Sequence, residues 1–71
     1  MTVIELIEAG AKQLADAGVA FGHGTANAFD EAAWLVLWWL KLPLDDLDSV
    51  ANRPVTPAEQ AQAATLFVAR I

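Results

Sequence analysis

The chain's single histidine, His23, stands between two glycines in the run Val19-Ala20-Phe21-Gly22-His23-Gly24-Thr25-Ala26. An imidazole suits proton transfer or metal ligation near neutral pH. His23 has few partners for either role, because the chain has no cysteine and no second histidine and cannot assemble the usual zinc ligand sets. Asp45, Asp46 and Asp48 are hard-cation ligands by type, but the EF-hand pattern with its central glycine and terminal glutamate is missing. Ser49, the only serine, lies among acids without a nearby base to activate it. Gly22-His23-Gly24-Thr25 lacks the spacing and the lysine of a phosphate loop, and no G-x-G-x-x-G or nucleophile elbow occurs. These residues are expected to catalyse nothing. His23 is expected to tie its loop through hydrogen bonds to nearby backbone. The bracketing glycines imply tight turning or a close approach to another surface. The aspartate run reads first as a solvated face, with attraction of a basic partner as its functional alternative.

The tryptophans carry more information. Nine consecutive residues, Ala32 to Leu40, have neither charge nor hydroxyl. At about 100° per residue, Asp30, Glu31, Trp34 and Lys41 share one side of a helix, flanked by Leu37 and Trp38. Ala32, Leu35, Val36, Trp39 and Leu40 lie toward the opposite side. Trp34 therefore shares the face that carries the helix's charges. Two readings stand: neighbouring helices cover it, as is usual for aromatics, or Trp34 and Trp38 form a docking patch, since tryptophan is enriched at binding hot spots. Trp34, Trp38, His23 and Asp30 are the candidate contact residues for a partner or an adjoining domain.

The elements that must position these residues are helical. Thr2-Val3-Ile4-Glu5 fits a capping box. Ile4, Ile7, Ala11 and Leu14 then repeat at helical spacing, with Val3 and Leu6 beside them. Glu5, Glu8, Lys12 and Asp16 fall mostly on the other side, and Glu8 precedes Lys12 by four residues in the favourable order. Gly18 is a natural stop. Phe21 is expected to anchor the following loop. Asn27 caps the apolar helix, Asp30 puts its charge in the first turn, and Pro43 is expected to end the helix at about Leu42. Leu44 to Val50 suggests one or two turns with Leu44, Leu47 and Val50 turned inward. Thr56-Pro57-Ala58-Glu59 is a strong helix start. Beyond it Ala61, Ala64, Val68 and Ile71 form one stripe, flanked by Leu66 and Phe67. The last helix ends on an apolar residue without a cap, as expected of a piece of a longer protein.

Seventy-one residues make one domain at most. The apolar run is too short to cross a bilayer, which takes about 20 residues. Met1-Thr2-Val3-Ile4-Glu5 has no basic stretch followed by an apolar run and is not expected to be a signal peptide, and the lack of cysteine fits the cytoplasm. Four basic residues against nine acidic ones give a net charge of −5. That balance disfavours direct nucleic-acid binding, which needs clustered Lys and Arg, and suits a basic partner. Hydrophobic residues reach 56%, above the ordinary 45–50% or so. Alanine accounts for part of the surplus; the rest implies apolar surface that something else covers.

One stretch is distinctive: Phe21-Gly22-His23-Gly24-Thr25, Asn27, Asp30-Glu31-Ala32 and Leu42-Pro43-Leu44. This series resembles the N-terminal domain of the PrmB-type ribosomal-protein glutamine methyltransferases, relatives of the HemK/PrmC release-factor enzymes. The resemblance runs from about Phe21 to Ile71; the first helix matches in character only. It implies a helical domain that precedes a Rossmann-like domain binding S-adenosylmethionine. It also implies methylation of a glutamine amide on large-subunit ribosomal protein L-three. The family's Asn-Pro-Pro-Tyr motif and glycine-rich cofactor loop are not among these residues, so no catalytic or cofactor role carries over. The implied role of this domain is to recognise the basic ribosomal substrate and orient it toward the catalytic domain.

The fold expected is all-α, a small orthogonal or irregular bundle of about four helices around a central apolar helix. The function expected is substrate recognition within an S-adenosylmethionine-dependent methyltransferase. The alternative is a free-standing helical adaptor or homodimer using the tryptophan face. A small metalloprotein would require His23 and the aspartates to converge.

Overall fold

The first helix, α1 (Val3–Asp16), begins where four orphan N–H groups find acceptors. The Thr2 hydroxyl accepts from the Glu5 N–H, and the Glu5 carboxylate accepts from the Thr2 N–H at 2.8 Å. The N–H groups of Val3 and Ile4 donate to the carbonyls of Arg53 and Ala51, each at 2.9 Å. The Val55 N–H in turn donates to the Met1 carbonyl. The start of α1 is thus fastened to the segment that leads into the last helix, which satisfies donors that helix ends otherwise leave open. The computed structural model describes residues 1–19 and 27–71. Among these it holds four helices and no strand: α1, α2 (Ala28–Trp39), the single turn α3 (Leu47–Val50) and α4 (Pro57–Arg70). The all-α bundle expected from the sequence is what forms.

The core lies between α1, α2 and α4. Val3, Leu6, Ile7 and Leu14 of α1 meet Ala32, Val36 and Leu37 of α2, and Ala63 and Phe67 of α4 close the third side with Val55. α1 packs most extensively on α2 and less on α4. One contact sets how closely α1 and α4 approach. Gly10 is buried in mid-helix, and any Cβ built on it would sit inside contact distance of the Phe67 ring. Glycine inside a helix costs roughly 0.5–1 kcal/mol relative to alanine; here the missing methyl leaves room for an aromatic ring.

Both long N-terminal helices end in the same way. In α1 the Gly18 N–H donates to Ala15 O and the Val19 N–H to Leu14 O, with Gly18 at φ +70°. In α2 the Lys41 N–H donates to Trp38 O and the Leu42 N–H to Leu37 O, with Lys41 at φ +59°. These are Schellman closures, which need a left-handed residue just past the helix. So α2 ends at Trp39 rather than at Leu42, and the reversal at Lys41, two residues ahead of Pro43, is what stops it.

Several side chains lie on the opposite side from the one their spacing predicts. Ala61, Ala64 and Val68 of α4, with Ile71 just beyond it, are exposed, and the buried face is Ala63 and Phe67. Two alanine-rich stripes compete along α4, and the one holding Phe67 buries more area. Leu44 is half exposed, while Leu47 and Val50 pack partly against the core. Lys12 pairs with Asp16 at 2.8 Å. Glu31 turns inward rather than onto the charged side. It is 8% exposed and accepts from the Arg70 guanidinium at 3.0 Å, joining the first turn of α2 to the last turn of α4. Phe21 lies outside the described residues.

Candidate functional site

α2 is apolar on nearly every side, yet only one flank of it is covered. Asn27 fixes the first turn: its side-chain oxygen accepts from the Asp30 N–H at 2.9 Å. Ala32, Val36 and Leu37 then go into the core. The other flank carries Asp30, Trp34 and Trp38. Trp34 is 44% exposed and Trp38 55% exposed, so neighbouring helices do not cover them. The reading in which they are buried is overturned, because α3 is one turn long and α4 crosses on the far flank. The two indoles, four residues apart, lie parallel within 3° with centroids 5.9 Å apart. Parallel offset pairs at this separation contribute roughly 0.5–1.5 kcal/mol beyond burial. The pair also holds itself in place, which lowers the ordering cost of any contact made on it.

Beside the stack runs an open groove lined by Phe29, Asp30, Ala33, Trp34, Leu37, Leu44 and Leu47. One wall is α2 and the other is the segment after Pro43. Its volume is about 280 Å³, at the lower edge of the roughly 300–1,000 Å³ of small-molecule sites. The Asp30 carboxylate is the only charged group on its lining. It enters no ion pair among the described residues, whereas three of the chain's four cations are held by its own acids: Lys12 by Asp16, Arg53 by Glu59 and Arg70 by Glu31. The groove therefore presents apolar walls, a flat aromatic face and one free negative charge.

Of the candidate contact residues, the structure brings Trp34 and Asp30 onto one groove and sets Trp38 against Trp34. His23 lies outside the described residues. Asp45, Asp46 and Asp48 stay exposed in the segment that forms the far wall, and no cluster of three or more potential metal ligands occurs among the described residues. The Ser49 hydroxyl donates to Asp46 at 2.8 Å. Phe29, Ala33, Leu44 and Leu47 are the lining residues that sequence reasoning missed. The chain turns back at the left-handed Lys41, which brings Leu44 and Leu47 to the groove, and no local pattern marks a lysine for that conformation.

The chain is 45% identical over 58 residues to the ribosomal protein uL3 glutamine methyltransferase of Burkholderia pseudomallei, covering 82% of this chain and 19% of that protein. It is 41% identical over 70 residues to the protein of the same name from Bordetella pertussis, covering 99% of this chain and 24% of that one. The chain belongs to this family. A Neisseria meningitidis member is 38% identical over 69 residues, 97% of this chain and 23% of its own length. The chain thus spans about a fifth to a quarter of the length of the uL3 glutamine methyltransferases it matches. No protein-family model matches the chain, and no solved structure matches it.

Proposed function

We propose that this chain is the N-terminal substrate-recognition domain of a protein-glutamine methyltransferase acting on a uL3-type ribosomal protein. The observation that carries the reading is likeness to the uL3 glutamine methyltransferases along 99% of the chain at 41% identity. The exposed Trp34–Trp38 stack and the net charge of −5 support a docking role. Ribosomal proteins are typically basic, and opposite potentials speed encounter and reject wrong partners. The methyl donor, S-adenosylmethionine, belongs to an adjoining domain of the parent protein. The groove on α2 does not fit it, since it lies on a helix side and not at a glycine-rich strand–helix turn. That adjoining domain is the partner for the exposed stripe of Ala61, Ala64, Val68 and Ile71. The parent works in the cytoplasm, where ribosomal proteins are made; no described helix is long and apolar enough to cross a membrane.

Calorimetry with the chain and purified uL3 tests this. The expected result is association in the micromolar range that weakens as salt rises, with no heat on adding S-adenosylmethionine. Cofactor binding by these residues, or no uL3 binding at low salt, overturns the reading.

A further inference from the structure

The groove and the tryptophan stack have a chemistry more specific than general stickiness. We infer that the groove takes the arginine or lysine side chain of an extended basic segment of the partner, its cation over the Trp34 ring and paired with Asp30. This inference rests on the recognition role proposed above and specifies where that role is exercised.

Three observations point to a cationic occupant. First, the apolar walls suit the methylene stem of a long basic side chain, which packs on apolar surface while its head stays polar. Second, Trp34 lines the groove and is held by its stack on Trp38, so its indole is a preset π surface for a ligand there. The negative face of an indole attracts a cation, the more strongly as water is excluded. Third, the distribution of charge is uneven. Six acids enter no ion pair among the described residues, Glu5 and Glu8 on α1 and Asp30, Asp45, Asp46 and Asp48 at or beside the groove. Asp30 lines the groove, and the three aspartates from 45 to 48 alternate in sequence with its far-wall residues Leu44 and Leu47. The cation nearest in sequence, Lys41, sits past the end of α2 in the left-handed closure and is not on the lining. A neutral apolar helix would fill the walls but leave Asp30 facing it unpaired, which disfavours that occupant.

The test uses the 71-residue chain labelled with nitrogen-15, with two probes: a hexapeptide of alternating arginine and glycine, and intact uL3. Indole N–H shifts report on the tryptophans, and far-ultraviolet circular dichroism reports that each variant folds. The peptide is expected to move the Trp34 and Trp38 signals and to leave Trp39 nearly still; a glutamate–glycine peptide should move none. Trp34→Ala should weaken both probes about tenfold and Asp30→Asn about fivefold. Glu8→Gln, the same charge change on an exposed acid of α1 outside the groove, should change binding less than about twofold. Equal losses in Asp30→Asn and Glu8→Gln would reduce the effect to net charge and overturn the inference. So would self-association of the free chain that Trp34→Ala abolishes, because the occupant would then be a second copy. If uL3 binds the Trp34→Ala and Asp30→Asn variants undiminished, the groove assignment fails while the recognition role stands. If the arginine peptide binds as described but uL3 does not, the recognition role fails while the cation groove stands.

Discussion

Gly10 and Lys41 show how single residues settle this fold against their own local preferences. Replacing Gly10 by alanine raises helix propensity, yet the new methyl meets the buried Phe67 ring. A rigid ring held in the core cannot swing aside as a long side chain can. Gly10→Ala should therefore destabilise by about 1–3 kcal/mol, the usual range for overpacking, as read by urea unfolding; a gain in stability would mean that α4 shifts freely over α1. Lys41 is the opposite case. A non-glycine residue held left-handed costs roughly 1–2 kcal/mol, so Lys41→Gly should stabilise by about 1 kcal/mol with no change at the groove. Trp34→Ala should cost about 1–2 kcal/mol, loss of the Trp38 stack included, since nearly half of its surface is already in water, against roughly 3–5 kcal/mol for a core aromatic. A loss in the core range would contradict the exposure on which the docking surface rests.

At the scale of elements, the helix starts were legible and the helix faces were only partly so. Thr2, Asn27 and Thr56 all cap as their types and spacing require, because a cap involves only a side chain and the next three residues. The α4 face was not legible. Its alanines allow either stripe to be buried, and the choice falls to Phe67, which fits a glycine 57 positions earlier in the chain. The Glu31–Arg70 pair, 39 residues apart, was beyond local pattern for the same reason. Trp34 could not be placed from periodicity, because α2 is apolar on all sides and only the tertiary arrangement leaves one flank bare.

The Glu31–Arg70 pair also yields a magnitude. Glu31 is buried and Arg70 about a third exposed, so the pair lies between an exposed bridge, worth up to about 1 kcal/mol, and a buried one, whose breaking costs about 3–5 kcal/mol. Glu31→Gln should cost about 1–2 kcal/mol in urea unfolding, less if the amide still accepts from Arg70. The capping boxes predict a pH dependence. The Thr2 N–H, then the Thr2 hydroxyl, hold the Glu5 carboxyl below its ordinary value of 4.5, and the Thr56 N–H does the same for Glu59. A carboxyl lowered in the folded state contributes stability that is present above its unfolded value and lost as pH falls through the folded one. The thermal midpoint should thus be level from pH 7 to about 5 and drop below about 4.5. Glutamine also completes a capping box, so the double variant Glu5→Gln, Glu59→Gln should melt like the parent at pH 7 and lose less on acidification. An unchanged acid limb would rule out the boxes as its cause.

The whole molecule joins a small core to two apolar areas left open, the Trp34 groove and the outer stripe of α4. Its radius of gyration, 11.1 Å, matches the roughly 11 Å of a compact chain of this length, so the open areas are not the mark of a loosened bundle. They fall on different helices, and the groove is edged by Asp30, Asp45, Asp46 and Asp48, which enter no ion pair among the described residues. That asymmetry separates the two contacts by their response to salt. Association through the acidic groove should weaken several-fold between about 50 and 300 mM salt, as exposed charges are screened over roughly 14 Å at the lower concentration and 6 Å at the higher. Contact through Ala61, Ala64 and Val68 is apolar and should be level or slightly stronger over the same range. Measuring uL3 binding across this salt series, with Trp34→Ala and Val68→Ser as the two variants, distinguishes the surfaces. The groove variant should remove the salt-sensitive component, and the α4 variant should leave uL3 binding intact. If Val68→Ser were the damaging one, the substrate would sit on α4 and the tryptophan flank of α2 would be the surface turned toward the rest of the parent protein.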